Sequence, residues 1–252
     1  MLLQRLIPSL LLKGQRLVKG QQFNSYKDAG NPKTVVRAHN YQGADEIFLA
    51  DIESSKKNIP PNFEIIREVA EECFIPLTVA GGIKNISIAR ECMNSGADKL
   101  CLNMAAFDRP EIITELSELY GKQSIVLGVD VFRDKDNQYY LYDHRVNAIK
   151  KEIALFDWIE YAISLGVGEL KIMHVINEGS LKGYDFNLYK LIKQRVRIPI
   201  IFEGGAGSLL DLEQAFNQGI SGVALGSMLV FTDANIVKIK SFMKSQKIRV
   251  RY

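Results

Sequence analysis

The sequence is poor in the residues that build metal centres, disulfide frameworks and nucleic-acid surfaces. Its 252 residues include only three cysteines and three histidines, and its net charge is +3. Cys73, Cys92 and Cys101 lie in apolar stretches without Cys-x-x-Cys spacing, so we expect reduced thiols in the core. The histidines are far apart, which argues against a metal site. The small charge excess gives no reason to expect a nucleic-acid or membrane-surface partner.

Long apolar runs are also absent. No run approaches the roughly 20 residues that a membrane-spanning helix needs. Leu10-Leu11-Leu12 is similar to part of a secretion signal, but Pro8 interrupts that run, Lys13 ends it, and no small-residue cleavage site follows. These absences predict a soluble cytoplasmic protein.

The sequence does contain a regular alternation of short apolar runs with amphipathic segments. Between the runs, apolar residues recur at helical spacing, Asn31-Pro32 and Ser208 are typical of helix starts, and Gly96 and Gly219 are typical of helix ends. No linker or domain boundary is visible, so the sequence predicts one (β/α)8 barrel of the α/β class over residues 1–252. The predicted strands are 6–12, 46–51, 77–79, 99–103, 125–130, 169–174, 198–202 and 222–225.

Two glycine pairs occupy equivalent places in the two halves of the chain. Gly81-Gly82 and Gly204-Gly205 lie 123 positions apart (204 − 81), and each follows an apolar run and precedes a helical segment. Glycine lets the backbone approach a ligand closely, and the N–H groups of a following helix favour phosphate. The repeat therefore predicts a doubled barrel that holds a substrate by a phosphate at each end. The alternative is that these glycines only permit tight turns.

Seven short motifs distributed over essentially the full length of the chain resemble those of a known family. They are Arg5-Leu-Ile-Pro8, Arg16-Leu-Val-Lys-Gly20, Lys27-Asp-Ala-Gly30, Phe74-Ile-Pro-Leu-Thr-Val79, Gly96-Ala-Asp-Lys99, Gly183-Tyr-Asp185 and Glu203-Gly-Gly-Ala-Gly207. Through these motifs the chain resembles the HisF family, the cyclase subunits of imidazole glycerol phosphate synthase. In that family a glutaminase makes ammonia, which crosses the barrel from its N-terminal face to a bis-phosphorylated ribonucleotide at its C-terminal face.

The resemblance implies a substrate site at the strand ends and an ammonia entrance at the opposite face. The alternative for the entrance is a structural ring of salt bridges, and the alternative for Lys19 is a solvated loop cation. The implied phosphate and substrate residues are Lys19, Asp51, Gly82, Asn103, Gly179, Ser180, Gly205, Gly226 and Ser227, and those of the entrance and the glutaminase contact are Arg5, Glu46, Asp98, Lys99 and Glu169.

One catalytic position departs from the family. HisF proteins use two aspartates, at the ends of strands 1 and 5, and such acid–base work needs two carboxyl groups with separated proton affinities. Asp130 matches the second, but Leu11 stands at the first and cannot accept a proton. Ser9 on the same face and Asp51, the nearest carboxylate candidate, offer no simple rescue.

Other pocket positions also differ from the family. His174 replaces a small polar residue, Glu203 replaces a serine, the strand 6 loop reads Ile176-Asn-Glu-Gly-Ser180, and the family's Thr-Gly has no clear counterpart in residues 144–153. The residues implied for phosphate binding are retained, whereas the residues of the pocket differ from the family. This combination favours a paralogue, similar to the HisF-like proteins associated with amidation of nitrogen-rich cell-surface sugars.

The resemblance therefore implies a lyase-family subunit without a cofactor, in a heterodimer with a HisH-like glutaminase and with a sugar amidotransferase as a further partner. Its own catalytic activity is in doubt because of Leu11. Two alternatives stay open. One is a histidine-biosynthesis cyclase with an altered site, and the other is a non-catalytic scaffold that activates a glutaminase.

Overall fold

A closed barrel of eight parallel strands forms the centre of the computed structural model, which describes residues 3–251. The barrel closes because β1 pairs with both β4 and β12, while β7 pairs with β10. The predicted (β/α)8 architecture is confirmed. In chain order the strands are β1 (Arg5–Lys13), β2 (Arg16–Gln21), β3 (Asn24–Gly30), β4 (Ile47–Asp51), β5 (Leu77–Ala80), β6 (Lys99–Leu102), β7 (Ile125–Arg133), β8 (Tyr139–Asp143), β9 (Ala148–Lys150), β10 (Glu169–His174), β11 (Ile200–Glu203) and β12 (Gly222–Leu225), of which all but β2, β3, β8 and β9 belong to the barrel.

Helices connect the barrel strands and cover the outside of the barrel. Asn31 begins α1 by accepting the N–H of Thr34, and Ser208 and Asp211 cap the start of α9 reciprocally, so both predicted helix starts are confirmed. The helices are α1 (Pro32–Tyr41), α2 (Ser54–Lys57), α3 (Phe63–Ala70), α4 (Ile86–Asn94), α5 (Met104–Asp108), α6 (Glu111–Tyr120), α7 (Leu155–Leu165), α8 (Phe186–Arg195), α9 (Leu209–Asn217), α10 (Ser227–Phe231) and α11 (Ile236–Ser245). Within residues 3–251, none of them is both long and apolar enough to cross a membrane.

The apolar interior has two parts. The larger core lies between the strands and the helices, as expected for strands that are buried on both faces. A smaller apolar layer fills the inside of the barrel and consists of Ile7, Phe48, Ala80, Cys101, Val126, Ile201 and Ala224. A molecule that crosses the barrel along its axis must pass this inner layer.

Two antiparallel arms, which the sequence did not predict, extend the carboxyl ends of the barrel strands. In the first arm, β2 pairs with the end of β1, with Leu11 opposite Val18, and β3 pairs with β2. In the second, β8 pairs with the end of β7, with Val131 opposite Leu141, and β9 pairs with β8. The arms add walls at the C-terminal end of the barrel, where the candidate site lies.

Candidate active site

A cavity of about 900 Å³, open to solvent, lies at the C-terminal end of the barrel and is called here the mouth cavity. It extends down to Ser9 and Phe48 inside the barrel. The structure brings together there five of the predicted strand-end residues, namely Leu11, Asp51, Gly82, Asn103 and Asp130. Tyr26 from the first arm and His144 from the second complete its rim.

Both glycine pairs adopt backbone conformations that side chains resist. Gly82 and Gly205 have φ of +67° and +117°, and a Cβ would lie 2.5 Å from the carbonyl oxygen of Ile59 and 2.0 Å from that of Gly183, respectively. Tight turns therefore require these glycines. The N–H of Gly82 donates to Ser55 Oγ at 3.1 Å, so this donor already has a partner.

A second, smaller cleft of about 270 Å³ lies beside the mouth cavity, between the β10, β11 and β12 strand ends. Ser227 Oγ is buried there without a hydrogen-bond partner among residues 3–251. Ser180 is not part of its lining, and its Oγ instead accepts the N–H of Lys182. The cleft does contain the other residues predicted for the second phosphate site, which are Gly179, Gly205, Gly226 and Ser227.

Lys19 has a different environment from the one that the sequence indicated. It lies on β2 rather than in a loop, it is only 3% exposed, and its Nζ forms an ion pair with the buried carboxylate of Glu178. The solvated-cation alternative is therefore wrong. The pair lines the second cleft, and Glu178 is a site residue that sequence reasoning missed.

The carboxylate of Asp130 has two hydrogen-bond partners. Asn103 donates from Nδ2 to Asp130 Oδ2 at 2.9 Å, and His144 Nδ1 approaches the same oxygen at 2.9 Å. His144 lies in the turn between β8 and β9, and no motif in that polar segment pointed to it. The structure thus places a second titratable group, the imidazole of His144, beside Asp130 in the mouth cavity.

Asp51, the nearest carboxylate candidate for a rescue of Leu11, is not free to act as a base. Asp51 accepts the backbone N–H groups of Glu53 and Ser54 at Oδ1 and that of Asn62 at Oδ2, at 3.1 to 3.2 Å. These bonds make it a structural cap for the following loop. Leu11 itself is buried in the cavity wall, and Ser9 lies deeper on the same face.

A buried ion pair between Lys171 and Glu203 lies at the bottom of the mouth cavity. Lys171 Nζ also lies 4.1 Å from the centroid of the Phe48 ring. Burial raises the pKa of Glu203, but Lys171 and Lys19 outweigh it and hold that pKa below its usual value. Burial likewise lowers the pKa of Lys171, and Glu203 more than offsets this. Both groups therefore carry their charges at neutral pH.

His174 does not contribute to the mouth cavity, contrary to what the sequence suggested. Its side chain is fully buried, with Nε2 3.5 Å from Asp185 Oδ2. Burial lowers the pKa of His174, although Asp185 acts in the opposite direction. Of the two ionisable replacements noted in the sequence, only Glu203 faces the cavity.

At the opposite end of the barrel, four charged side chains form a closed ring. Arg5 pairs with Glu46 at 2.9 Å and with Glu169, and Lys99 Nζ lies 2.9 Å from a carboxylate oxygen of each glutamate. Burial raises the pKa of Glu169, but Arg5 and Lys99 hold it below its usual value. Asp98, next to the ring, is exposed and accepts the N–H of Leu77. The ring closes the bottom of the barrel, as the alternative of a structural ring of salt bridges requires.

The chain is similar in sequence to known proteins over its whole length. A family model described as "Histidine biosynthesis protein" matches residues 5–235. The chain is 37% identical over 252 residues to the imidazole glycerol phosphate synthase subunit HisF of Alkaliphilus metalliredigens, with 100% of both chains covered. It is 36% identical, again over the whole of both chains, to the proteins with the same description from Bacillus subtilis and Staphylococcus epidermidis.

Proposed function

The chain belongs to the HisF family of histidine biosynthesis proteins, and we propose that it delivers ammonia through its barrel to a phosphorylated acceptor in the mouth cavity. The observation that carries this proposal is the placement of two features on one axis. The ring of Arg5, Glu46, Lys99 and Glu169 closes one end, and the cavity around Asp130 opens at the other.

Two phosphate positions are proposed at the C-terminal end. The first is beside Gly82 and Asn103, and the second is in the smaller cleft, where the buried hydroxyl of Ser227 has no partner among the described residues. A buried hydroxyl without a partner is costly, and a phosphate oxygen in the cleft would accept its hydrogen bond. Lys19 adds positive charge, although Glu178 already balances it.

The source of ammonia is proposed to be a glutaminase docked on the N-terminal face. The HisF relatives are described as subunits of a synthase, which supports a partner. Exposed Asp98 lies on the docking face, and Lys99 closes the ring behind it. Because both ring glutamates are buried and each is held by two cations, a displacement of Lys99 would open the ring while both glutamates stay paired with Arg5.

The acceptor that we propose is the bis-phosphorylated ribonucleotide of histidine biosynthesis, because full-length relatives at 36% to 37% identity are described as imidazole glycerol phosphate synthase subunits. The sequence favoured the relay of ammonia to a cell-surface sugar amidotransferase. Two observations support this second candidate, namely Leu11 at the strand 1 end and the ion pair of Lys171 and Glu203 in the barrel.

The test is turnover of the ribonucleotide with ammonium salt and with glutamine plus the co-purified glutaminase. We expect product from both nitrogen sources and stimulation of glutamine hydrolysis by this subunit. Product from neither source would exclude the histidine acceptor, while stimulated hydrolysis without product would favour the sugar relay. If the two proteins neither associate nor show stimulated hydrolysis, the ammonia delivery itself is wrong.

A further inference from the structure

We propose that His144 and Asp130 form a catalytic dyad, in which His144 Nε2 performs the proton transfer for which strand β1 has no carboxylate. The inference rests on the proposed function, because it needs an ammonia-consuming reaction in the mouth cavity. It starts from the distance of 2.9 Å between His144 Nδ1 and Asp130 Oδ2. Leu11 lines the same cavity and cannot take part.

The hydrogen bond determines which nitrogen of His144 is available. In the proposed dyad Nδ1 donates its proton to the Asp130 carboxylate, which leaves Nε2 with its lone pair. Asn103 donates to the same carboxylate oxygen at 2.9 Å and so fixes the orientation of Asp130. The arrangement gives a base that is oriented by a carboxylate, which is in turn oriented by an amide.

The turn that carries His144 is anchored on both sides. The N–H and Nε of Arg145 donate to Asp143 Oδ1 at 3.0 and 2.9 Å, and its guanidinium also binds Asp108, the last residue of α5. Asp143 is buried and pairs with Ala148 across the arm. The side chain of His144 is therefore held at the cavity rim while remaining 20% exposed.

Five of the seven other titratable side chains that line the cavity are poorly suited to proton transfer at neutral pH. Burial raises the pKa of Cys101 and that of Tyr26 to about 12. Asp51 is bound by backbone N–H groups, and Lys171 and Glu203 are bound to each other. Histidine is the side chain whose ordinary pKa lies near neutrality. The titratable residues that line the cavity are Tyr26, Asp51, Lys56, Cys101, Asp130, His144, Lys171 and Glu203.

The two remaining histidines cannot replace His144. His174 is fully buried against Asp185, and His39 lies on α1, outside the mouth cavity. The charged groups that face His144 are Asp130 from β7 and, on its own arm, Asp143 and Arg145. Arg145 is paired with two carboxylates, so Asp130 is the group that stabilises a protonated His144.

The proposed step is a proton transfer during addition of ammonia to a carbonyl carbon of the acceptor. The lone pair of ammonia forms the C–N bond, the C=O π pair moves to the oxygen, and the nitrogen becomes positively charged. Nε2 accepts one proton from that nitrogen, and the Asp130 carboxylate stabilises the resulting imidazolium. The imidazolium then gives that proton to the alkoxide oxygen, which yields a neutral adduct and regenerates the dyad.

The first test compares His144→Gln with wild type in ammonium-dependent turnover of the ribonucleotide. The glutamine can keep a hydrogen bond to Asp130 but cannot take a proton. We expect kcat to fall about 10²- to 10⁴-fold with little change in KM, and the acidic limb of the pH profile to disappear. Imidazole should partly rescue His144→Ala. His39→Gln is the matched control and should keep the wild-type profile. A kcat of His144→Gln within threefold of wild type would overturn the proposal.

The second test does not depend on the acceptor, so it separates failure of the dyad from failure of the proposed function. NMR of the three imidazoles, recorded at alkaline pH where histidine carries a single ring proton, should show that proton of His144 on Nδ1, and diethyl pyrocarbonate should modify its Nε2 faster than His174 or His39. If wild type does not turn over the ribonucleotide, the acceptor is wrong, and these two measurements decide the dyad. A proton on Nε2, or slow modification of His144, would rule it out.

Discussion

Replacing Lys171 with methionine should leave the Glu203 carboxylate buried without its cation. Glu203 is 3% exposed and Lys171 is 6% exposed, so water can replace little of the lost interaction. Methionine keeps an apolar chain over the Phe48 ring, and the change therefore removes charge more than volume. Breaking a buried pair from one side costs about 3–5 kcal/mol. For a chain of this length, such a loss corresponds to a fall in Tm of about 6–20 °C.

The effect of pH on this variant has a definite sign. In wild type, Lys171 lowers the pKa of Glu203, so the stability that Glu203 contributes is present above its ordinary pKa and is lost as pH falls through the lower folded pKa. The raised pKa of Lys171 makes its contribution complete below the ordinary lysine pKa. Without Lys171, Lys19 is the cation that still opposes the effect of burial, so the pKa of Glu203 rises and the variant relieves the cost by binding a proton. The destabilisation should therefore be smaller at pH 5 than at pH 8.

The assay is guanidinium unfolding followed by circular dichroism at both pH values. Arg16→Met is the control, because it breaks an exposed pair with Asp28 and should leave the midpoint unchanged. The double variant Lys171→Met with Glu203→Gln removes both charges and should recover most of the stability. The reasoning is refuted if Lys171→Met and Arg16→Met unfold at the same midpoint, since the pair would then be solvated rather than buried.

Four further predictions concern the proposed site and the ring. Ser227→Ala should weaken sulfate or phosphate binding in the second cleft about tenfold, as measured by ligand titration, because a hydrogen bond to a charged group is worth about 1.5 kcal/mol or more. A crystal grown in sulfate should show an ion there and another beside Gly82. Lys99→Ala should uncouple glutamine hydrolysis from product formation while sparing turnover with ammonium salt, whereas Lys122→Ala, which removes an exposed lysine just before β7, should change neither activity. Leu11→Asp should restore part of the ammonium-dependent turnover of His144→Gln, which steady-state kinetics would measure, without raising that of wild type by more than a few fold.

The barrel could be predicted from the sequence because its strands are buried on both faces. Such strands appear as continuous apolar runs, and β10 and β12 have the bounds that those runs indicated. The arms gave no such signal. β3 is largely exposed and polar, so its residues do not alternate in hydrophobicity, and its pairing depends on tertiary contacts with β2.

The site could be predicted only where it follows directly from strand ends. Leu11, Asp51 and Asp130 were found because strand ends in such a barrel meet at one face. Lys171 had a usable signal that was overlooked, namely a charged residue between Leu170 and Ile172 in a buried strand. Its partner is the glutamate that ends the neighbouring strand.

His144 could not have been found in this way. It lies 14 positions after Asp130 (144 − 130), and the segment between them includes the tip of an unpredicted arm. Its position depends on the pairing of β8 with β7 and on the contacts of Arg145, neither of which leaves a local pattern. A functional residue on a polar turn is visible only once the fold brings the turn back over the barrel.

The missing carboxylate at Leu11 and the presence of His144 bear on the same question, which is whether the cavity can still perform proton transfer. If the chain were only a passage for ammonia, Asp130 would need no oriented partner, and a buried apolar wall such as Leu11 would suffice. Instead, Asn103 and His144 both form hydrogen bonds of 2.9 Å with Asp130 Oδ2. The arm that carries His144 is anchored by the contact of Arg145 with Asp108. Such a fixed orientation of the Asp130 carboxylate is needed when reacting atoms must be positioned. The geometry therefore favours an altered acid–base site over a barrel that only conducts ammonia.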